Sequence, residues 1–291
     1  MKSNKIKKYI ALPILVFSLI LSMTACAKNT DTKTSSDTGS KASTTATTKT
    51  IKVGVCAGPY GDMFTEAISP SLKAKGYEVK IVEFSDYVQP DIALGNKEID
   101  VNMFQHTTYL KNFAKEHNLD LTYIKEIPTA GMGIFSSKYK SIKDIPDGAT
   151  IAIPNDATNL SRAIRVLAQT GLIKIDPAVD PTKATQKTLS ENSKKLKFVE
   201  IEAPQLPRSL DSADAAIING NYALSAGLKL SSALYNEKIA DGYLNCIAVR
   251  TTDKDSAFAK DIVEVVGSDA FKKVIEDSSK QYVTFQRPKD Y

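Results

Sequence analysis

From residue 51 onward, short β-branched runs alternate with stretches in which apolar positions recur every three to four residues. The β-type runs are IKVGV (51–55), EVKIVEF (78–84), DVNMF (100–104), LTYIKEI (121–127), GIF (133–135), TIAIP (150–154), KFVEI (197–201), AAII (215–218) and NCIAV (245–249). Helical spacing predicts helices over 60–75, 86–95, 106–118, 158–170, 183–190, 220–228, 256–266 and 268–280. Strands separated by helices define an α/β fold built of βαβ units with mostly parallel sheets. Pro90 falls inside the second predicted helix. With Asp86 as N-cap it sits in the first turn, where an amide hydrogen has no intrahelical partner.

Two features divide this α/β body into two lobes. The Gly- and Pro-containing stretch EIPTAGMG (126–133) closes a first set of βα units, and YKSIKDIPDGATIAIP opens a second. Late in the chain, DGYLNCIAVR is a strand without a parallel neighbour in its own set, followed by two helices that return to the first lobe. The expected layout is residues 51–131 plus 245–291 for lobe 1 and 132–244 for lobe 2, with two crossovers between them.

Residues 1–50 obey different rules. Lys2, Lys5, Lys7 and Lys8 precede the 14-residue apolar run IALPILVFSLILSM, which ends in TAC. This is the layout of a secretory signal over residues 1–25. The run is shorter than the roughly 20 residues that span a bilayer, and the small residues before Cys26 resemble a lipoprotein processing site. Residues 26–50 are almost entirely Ser, Thr, Lys, Asp and Ala, so they bury too little apolar surface to offset the entropy of ordering. They read as a flexible tether that holds a soluble body near a membrane through a lipid, palmitate among its chains, on Cys26.

Charge and cysteine content narrow the function. The formal charge of +5 is concentrated in the signal and tether, leaving 30 Lys plus Arg against 31 Asp plus Glu beyond residue 50. Such balance gives no nucleic-acid footprint. Cys56 and Cys246 have no paired spacing, so they are expected to be buried thiols, with a single disulfide between them as the alternative. Two isolated histidines supply no metal motif, and GxSxG, GxxxxGK[ST], GxGxxG and HExxH are all missing. GPYGDMF (58–64) offers one Gly-Pro turn, a weak phosphate signal. No catalytic residue, metal or cofactor is expected.

The residues just beyond each strand supply the candidate site, because open α/β sheets bind ligands at the carboxyl ends of their strands. Tyr87 comes after EVKIVEF; Phe104, His106 and Tyr109 lie at the end of DVNMF; Arg162 comes after TIAIP; Asn219 and Asn221 come after AAII. An aromatic wall on one lobe thus faces an amide and guanidinium wall on the other, which suits a small zwitterion with a nonpolar side chain. His106 and Tyr109 share a face at a helix start, so His106 reads as a polar edge of the pocket. A general-base role is the alternative, without a visible nucleophile beside it. Arg162 lies near a helix N-terminus, where amides already favour an anion and a bidentate guanidinium adds to them. Arg165 is expected at the surface, Phe113 in the core, and His117 solvated at a helix C-terminus.

Seven segments, VEFSDYVQP, DVNMFQHTTYL, SKYKSIKDIPDGATIAIPNDATNLSRA, EAPQLPRSL, AAIINGNYAL, AGL and NCIAVR, resemble the methionine-binding lipoproteins that serve ABC importers, in order over most of 51–250. The resemblance implies a periplasmic-binding-protein fold of type II with the ligand in the interlobe cleft. It also implies a lipid-anchored protein on the extracytoplasmic face of the cell membrane, with an ABC permease and its ATPase as partners. L-methionine, D-methionine or a methionine-containing dipeptide is the implied ligand. Carried over by position, Tyr87, Phe104 and Tyr109 form the side-chain pocket with His106 beside them. Arg162 clamps the carboxylate, Asn219 and Asn245 hold the backbone end of the ligand, and Asn221 supports the turn. Ser161 replaces a Gly that is frequent in the family. A different class, a surface lipoprotein used for adhesion or signalling with a vestigial pocket, is the alternative reading.

Overall fold

The computed structural model of the chain describes residues 49–291, so the signal segment, Cys26 and most of the tether lie outside the described residues. The strands are β1 (Lys49–Cys56), β2 (Tyr77–Phe84), β3 (Val101–Asn102), β4 (Leu121–Glu126), β5 (Gly133–Phe135) and β6 (Thr150–Pro154). Then come β7 (Lys174–Ile175), β8 (Leu189–Glu191), β9 (Lys197–Ile201), β10 (Ala215–Ile218), β11 (Tyr235–Asn236) and β12 (Cys246–Arg250). Two five-stranded sheets form, ordered β2-β1-β3-β12-β4 and β11-β5-β10-β6-β9, while β7 and β8 make a small ribbon.

Both large sheets are mixed, which corrects the expectation of mostly parallel pairing. In the first, β1 runs parallel to β2 (Val53↔Ile81) and to β3 (Val53↔Val101), but β12 is antiparallel to β3 and β4. In the second, β10 and β9 are parallel to β6, whereas β5 is antiparallel to β10 and β11. The cause lies in the crossovers. β5 and β12 each arrive from the other sheet across the cleft, at the end where the parallel strands terminate, so each must run against them.

Among the described residues nine α-helical segments flank the sheets: α1 (Pro59–Met63), α2 (Ser69–Ala74), α3 (Gln89–Gly95), α4 (Thr107–Glu116), α5 (Ala157–Gln169), α6 (Leu206–Ser209), α7 (Gly220–Ser225), α8 (Ala257–Val266) and α9 (Asp269–Ile275). One π-helical turn, Phe64–Ile68, joins α1 to α2. It falls where Pro70 cannot donate to the preceding turn, and the widened turn absorbs the missing bond. α3 starts at Gln89 rather than at Asp86. Asp86 Oδ1 instead accepts the amides of Val88 (2.8 Å) and Gln89 (2.9 Å), which still sets Pro90 in the first turn.

The helix expected over 183–190 does not form. Two single 3-10 turns, Pro181–Lys183 and Gln186–Thr188, lead into β8 instead. Asp180 bonds the Thr182 amide, and Thr185 and Thr188 form a reciprocal capping box. Such local side-chain bonds compete with helix, and Ala184 and Leu189 are too few to supply an apolar stripe.

Each sheet has its own core. Val53, Val55, Ile247 and Val249 pack with Met63, Phe64, Ile262 and Phe271, so α8 and α9 return to the first sheet as expected. Ile151, Ile153 and Ile217 pack with Leu160, Ile164 and Leu167 of α5. Burying each such side chain contributes about 1.5–3 kcal/mol, and these two cores fix the strand ends that face each other. Cys56 and Cys246 are buried free thiols, so the disulfide alternative does not hold.

Candidate functional site

Between the sheets lies a small cavity. Its wall includes Tyr87, Phe104, His106, Tyr109, Arg162, Asn219 and Asn245, so all seven residues singled out in the sequence meet there. Asn221, which the strand-end rule set beside Asn219, also lines it, as do Tyr60, Gln105 and Asn159, which were not expected from sequence to make a contact.

The aromatic wall comes from the ends of β2 and β3. Tyr87 stacks on Phe104 at 5.7 Å, and Tyr109 meets both edge-on at 6.0 and 6.3 Å. Offset and edge-to-face pairs of this kind are favoured by the ring quadrupoles. Tyr109 Oη donates to the Tyr87 carbonyl at 3.2 Å. Phe113 is buried and stacks on the exposed ring of His117, as expected for a core edge and a solvated helix end.

His106 holds two roles at once. It is the N-cap of α4, its Nδ1 accepting the Tyr109 amide at 3.1 Å, so the ring proton resides on Nε2. Nε2 faces Asn159 Oδ1 at 3.4 Å. Burial, reinforced by Arg162, holds the imidazole well below its ordinary pKa, so the ring is neutral and a donor. A base would need the lone pair that Tyr109 already uses.

The polar wall is one connected network. Asp156 caps α5 by accepting the Asn159 amide, and both its carboxylate oxygens accept from Asn159 Nδ2 at 3.1 Å. That fixes Asn159 Oδ1 as an acceptor, which receives Asn219 Nδ2 at 2.9 Å as well as His106. Asn219 Oδ1 is buried with no partner among the described residues, leaving a hydrogen-bond acceptor for a donor. Asn245 Nδ2 donates to the Phe104 carbonyl and its amide to Thr129 Oγ1, fixing the second crossover against the first.

Arg162 requires a correction. Its guanidinium fork was expected to be free for an incoming carboxylate, but Nε and Nη2 are already bonded to Glu237 at 2.9 and 2.7 Å. Both side chains are at most 5 % exposed. Glu237 comes from the return crossover, where no periodicity marks it. Arg165, expected to be an ordinary surface residue, lies half-buried with its guanidinium 4.8 Å from the Tyr243 ring.

Contacts also cross the cleft at the cavity wall. Tyr87 Oη donates to Asn221 Oδ1 at 2.6 Å, and Asn221 Nδ2 donates to the Ala57 carbonyl at 2.9 Å. Asn221 therefore joins the two lobes rather than merely supporting a turn. Gly58, with φ +124°, lies so close that a Cβ there would be 2.6 Å from the Asn221 carbonyl oxygen. The structure is thus in a closed arrangement. Among the described residues, no three His, Cys, Asp or Glu side chains gather at metal-binding distance, and no helix is long and apolar enough to cross a membrane.

Two α/β lobes, two crossovers and a buried cavity at the strand ends, lined by an aromatic wall and an amide wall, define a two-lobed substrate-binding protein. The chain belongs to the NlpA lipoprotein family, whose model matches residues 51–285. It is 36% identical over 276 residues to the methionine-binding lipoprotein MetQ of Bacillus subtilis, covering 93% of this chain and 95% of that protein. It is 38% identical over 222 residues to the D-methionine-binding lipoprotein MetQ of Salmonella typhi, covering 75% and 82%. Among solved structures, a nutrient binding protein from Burkholderia cenocepacia bound to methionine superposes with a TM-score of 0.74 at 39% identity, covering 78% of this chain and 95% of that one.

Proposed function

We propose that this protein captures methionine, as the L or D isomer or within a dipeptide, and delivers it to an ABC importer from a lipid anchor on Cys26. The observation that carries the reading is the pairing, in one small cavity, of the Tyr87–Phe104–Tyr109 wall with Arg162 and the partnerless Asn219 Oδ1. A thioether lies well against aromatic edges, each contact contributing roughly 0.3–1.5 kcal/mol. Arg162 Nη1 is the guanidinium nitrogen left for a carboxylate, and Asn219 Oδ1 accepts from an ammonium. The names of the relatives support the methionine class, and the lobes split at residues 131/132 and 244/245 give the mobile halves. Cleft closure around the ligand is driven by contacts made only when both walls reach it.

Thermal unfolding against a panel of amino acids and dipeptides tests this. At 100 times its dissociation constant, a ligand stabilises the folded state by about 2.7 kcal/mol, or roughly 5–10 °C for a body of this size. Methionine compounds are expected to give that shift. A panel in which none of them does so removes the reading.

Closure gives a second expectation. Gly58→Ala places a Cβ against Asn221 and forces a residue with a side chain into backbone space that costs about 1–3 kcal/mol to occupy. With saturating methionine, small-angle scattering should show a larger radius of gyration for this variant than for wild type. Calorimetry should show at least about tenfold weaker binding. An unchanged radius and affinity would mean that the Gly58–Asn221 approach is not part of the bound state.

A further inference from the structure

The Arg162–Glu237 pair has consequences beyond holding Arg162 in place. Its members come from different elements: Arg162 projects from α5, and Glu237 from the crossover after β11. Glu237 Oε2 accepts the Met132 amide at 2.8 Å as well as Arg162 Nη2, so its carboxylate is fixed between both crossovers. The Tyr243 ring, on the same crossover, lies 5.4 Å from the Arg162 guanidinium carbon. The arginine is thus gripped on one edge and one face. Only Nη1 has no protein partner among the described residues.

This changes the charge that the cavity presents. A lone buried arginine is best satisfied by any carboxylate, whatever else the ligand carries. Here the cation is already neutralised by a carboxylate in contact with it, and neighbouring Asp156 adds a second acidic group beyond Asn159. His106 is held neutral by burial and adds no positive charge. A ligand bearing only a carboxylate would bring uncompensated negative charge beside Glu237 in a dry site, where such repulsion is weakly screened. A zwitterion adds no net charge, and its ammonium meets Asn219 Oδ1.

We infer that Glu237 is a specificity-determining residue: by pairing with Arg162 it makes the cavity select ligands that carry an ammonium together with their carboxylate, and reject simple carboxylates of the same shape. The inference rests on the proposal that the cavity takes methionine-class ligands. It assigns charge selectivity to a residue that serves as the counter-ion of Arg162.

The test compares dissociation constants of methionine, 4-(methylsulfanyl)butanoate and methioninamide for wild type and Glu237→Gln, measured by calorimetry. The butanoate keeps the thioether chain and carboxylate but lacks the ammonium, and the amide keeps the ammonium but lacks the carboxylate. Glutamine retains the size of Glu237 and an oxygen for the Met132 amide. Wild type should prefer methionine over the butanoate by about 100-fold or more, and Glu237→Gln should narrow that ratio at least about tenfold, chiefly by tighter butanoate binding. The amide should move oppositely and bind the variant more weakly. Ratios that stay within about threefold of wild type overturn the role of Glu237 while leaving methionine binding intact. Failure of wild type to bind methionine overturns the functional reading and the inference with it. Should the variant not fold, the wild-type order decides: butanoate binding more tightly than methioninamide contradicts the inference, and the reverse supports it.

Discussion

Arg162→Ala is expected to weaken methionine binding by roughly 30- to 4,000-fold, the equivalent of the 2–5 kcal/mol lost when one partner of a buried charge pair is truncated. The same substitution strands Glu237. Its carboxylate would be left 4 % exposed with only the Met132 amide for company, and breaking a buried pair in this way costs about 3–5 kcal/mol of folding stability. Loss of binding could therefore be mistaken for loss of fold. The double variant Arg162→Met with Glu237→Gln separates the two, because it removes both charges and keeps the volume filled. Its denaturation midpoint should recover most of the way to wild type while calorimetry still detects no methionine binding. Recovery of binding along with stability would show that Arg162 acts through the fold and not through contact with a carboxylate.

How far this site was legible in the sequence depends on whether each residue belongs to a local pattern. Tyr87, Phe104 and Asn219 lie at the ends of β-type runs, and the strand-end rule places them without any knowledge of pairing. His106 at the start of α4 was legible for the same reason. Asn159 was within reach: it lies three residues before Arg162 and three after Asp156, so the capping spacing NDATN already orients its amide. Tyr60 stands after β1 as Tyr87 stands after β2, but the flanking glycines drew attention to a phosphate loop instead. Glu237 carried no local signal. It pairs with a residue 75 positions away across the lobe, and nothing in a window of sequence encodes which distant charge fills a guanidinium fork. The same limit explains the sheets. Strand positions came from β-branched runs, whereas the reversed direction of β5 and β12 is a property of the crossovers.

Asp91 gives the other large effect, and it appears in stability against pH. It sits on α3 with no exposed surface, Oδ1 accepting Asn102 Nδ2 at 2.8 Å and Gln105 Nε2 at 2.5 Å. Asp91 Oδ2 and Gln105 Oε1 are both buried without a partner among the described residues. Burial pushes its pKa up to about 7, against the pull of the two amide donors. In the unfolded chain an aspartate ionises near about 3.9. Between these values the folded state binds more protons than the unfolded state, so stability must fall as pH rises. Asp91 should thus favour the fold fully below about pH 4 and lose that contribution as pH passes through 7, over a total span on the order of 4 kcal/mol. Asp91→Asn keeps the shape and the neutral state at every pH. Its urea midpoint should therefore exceed that of wild type at pH 8, and the difference between the two proteins should shrink steadily towards pH 5. Parallel pH profiles for the two proteins would mean that Asp91 is ionised in the fold with its charge satisfied. Gln105 joins this carboxyl to the cavity wall, so the same titration with methionine present should show whether the proton on Asp91 also holds the site in shape.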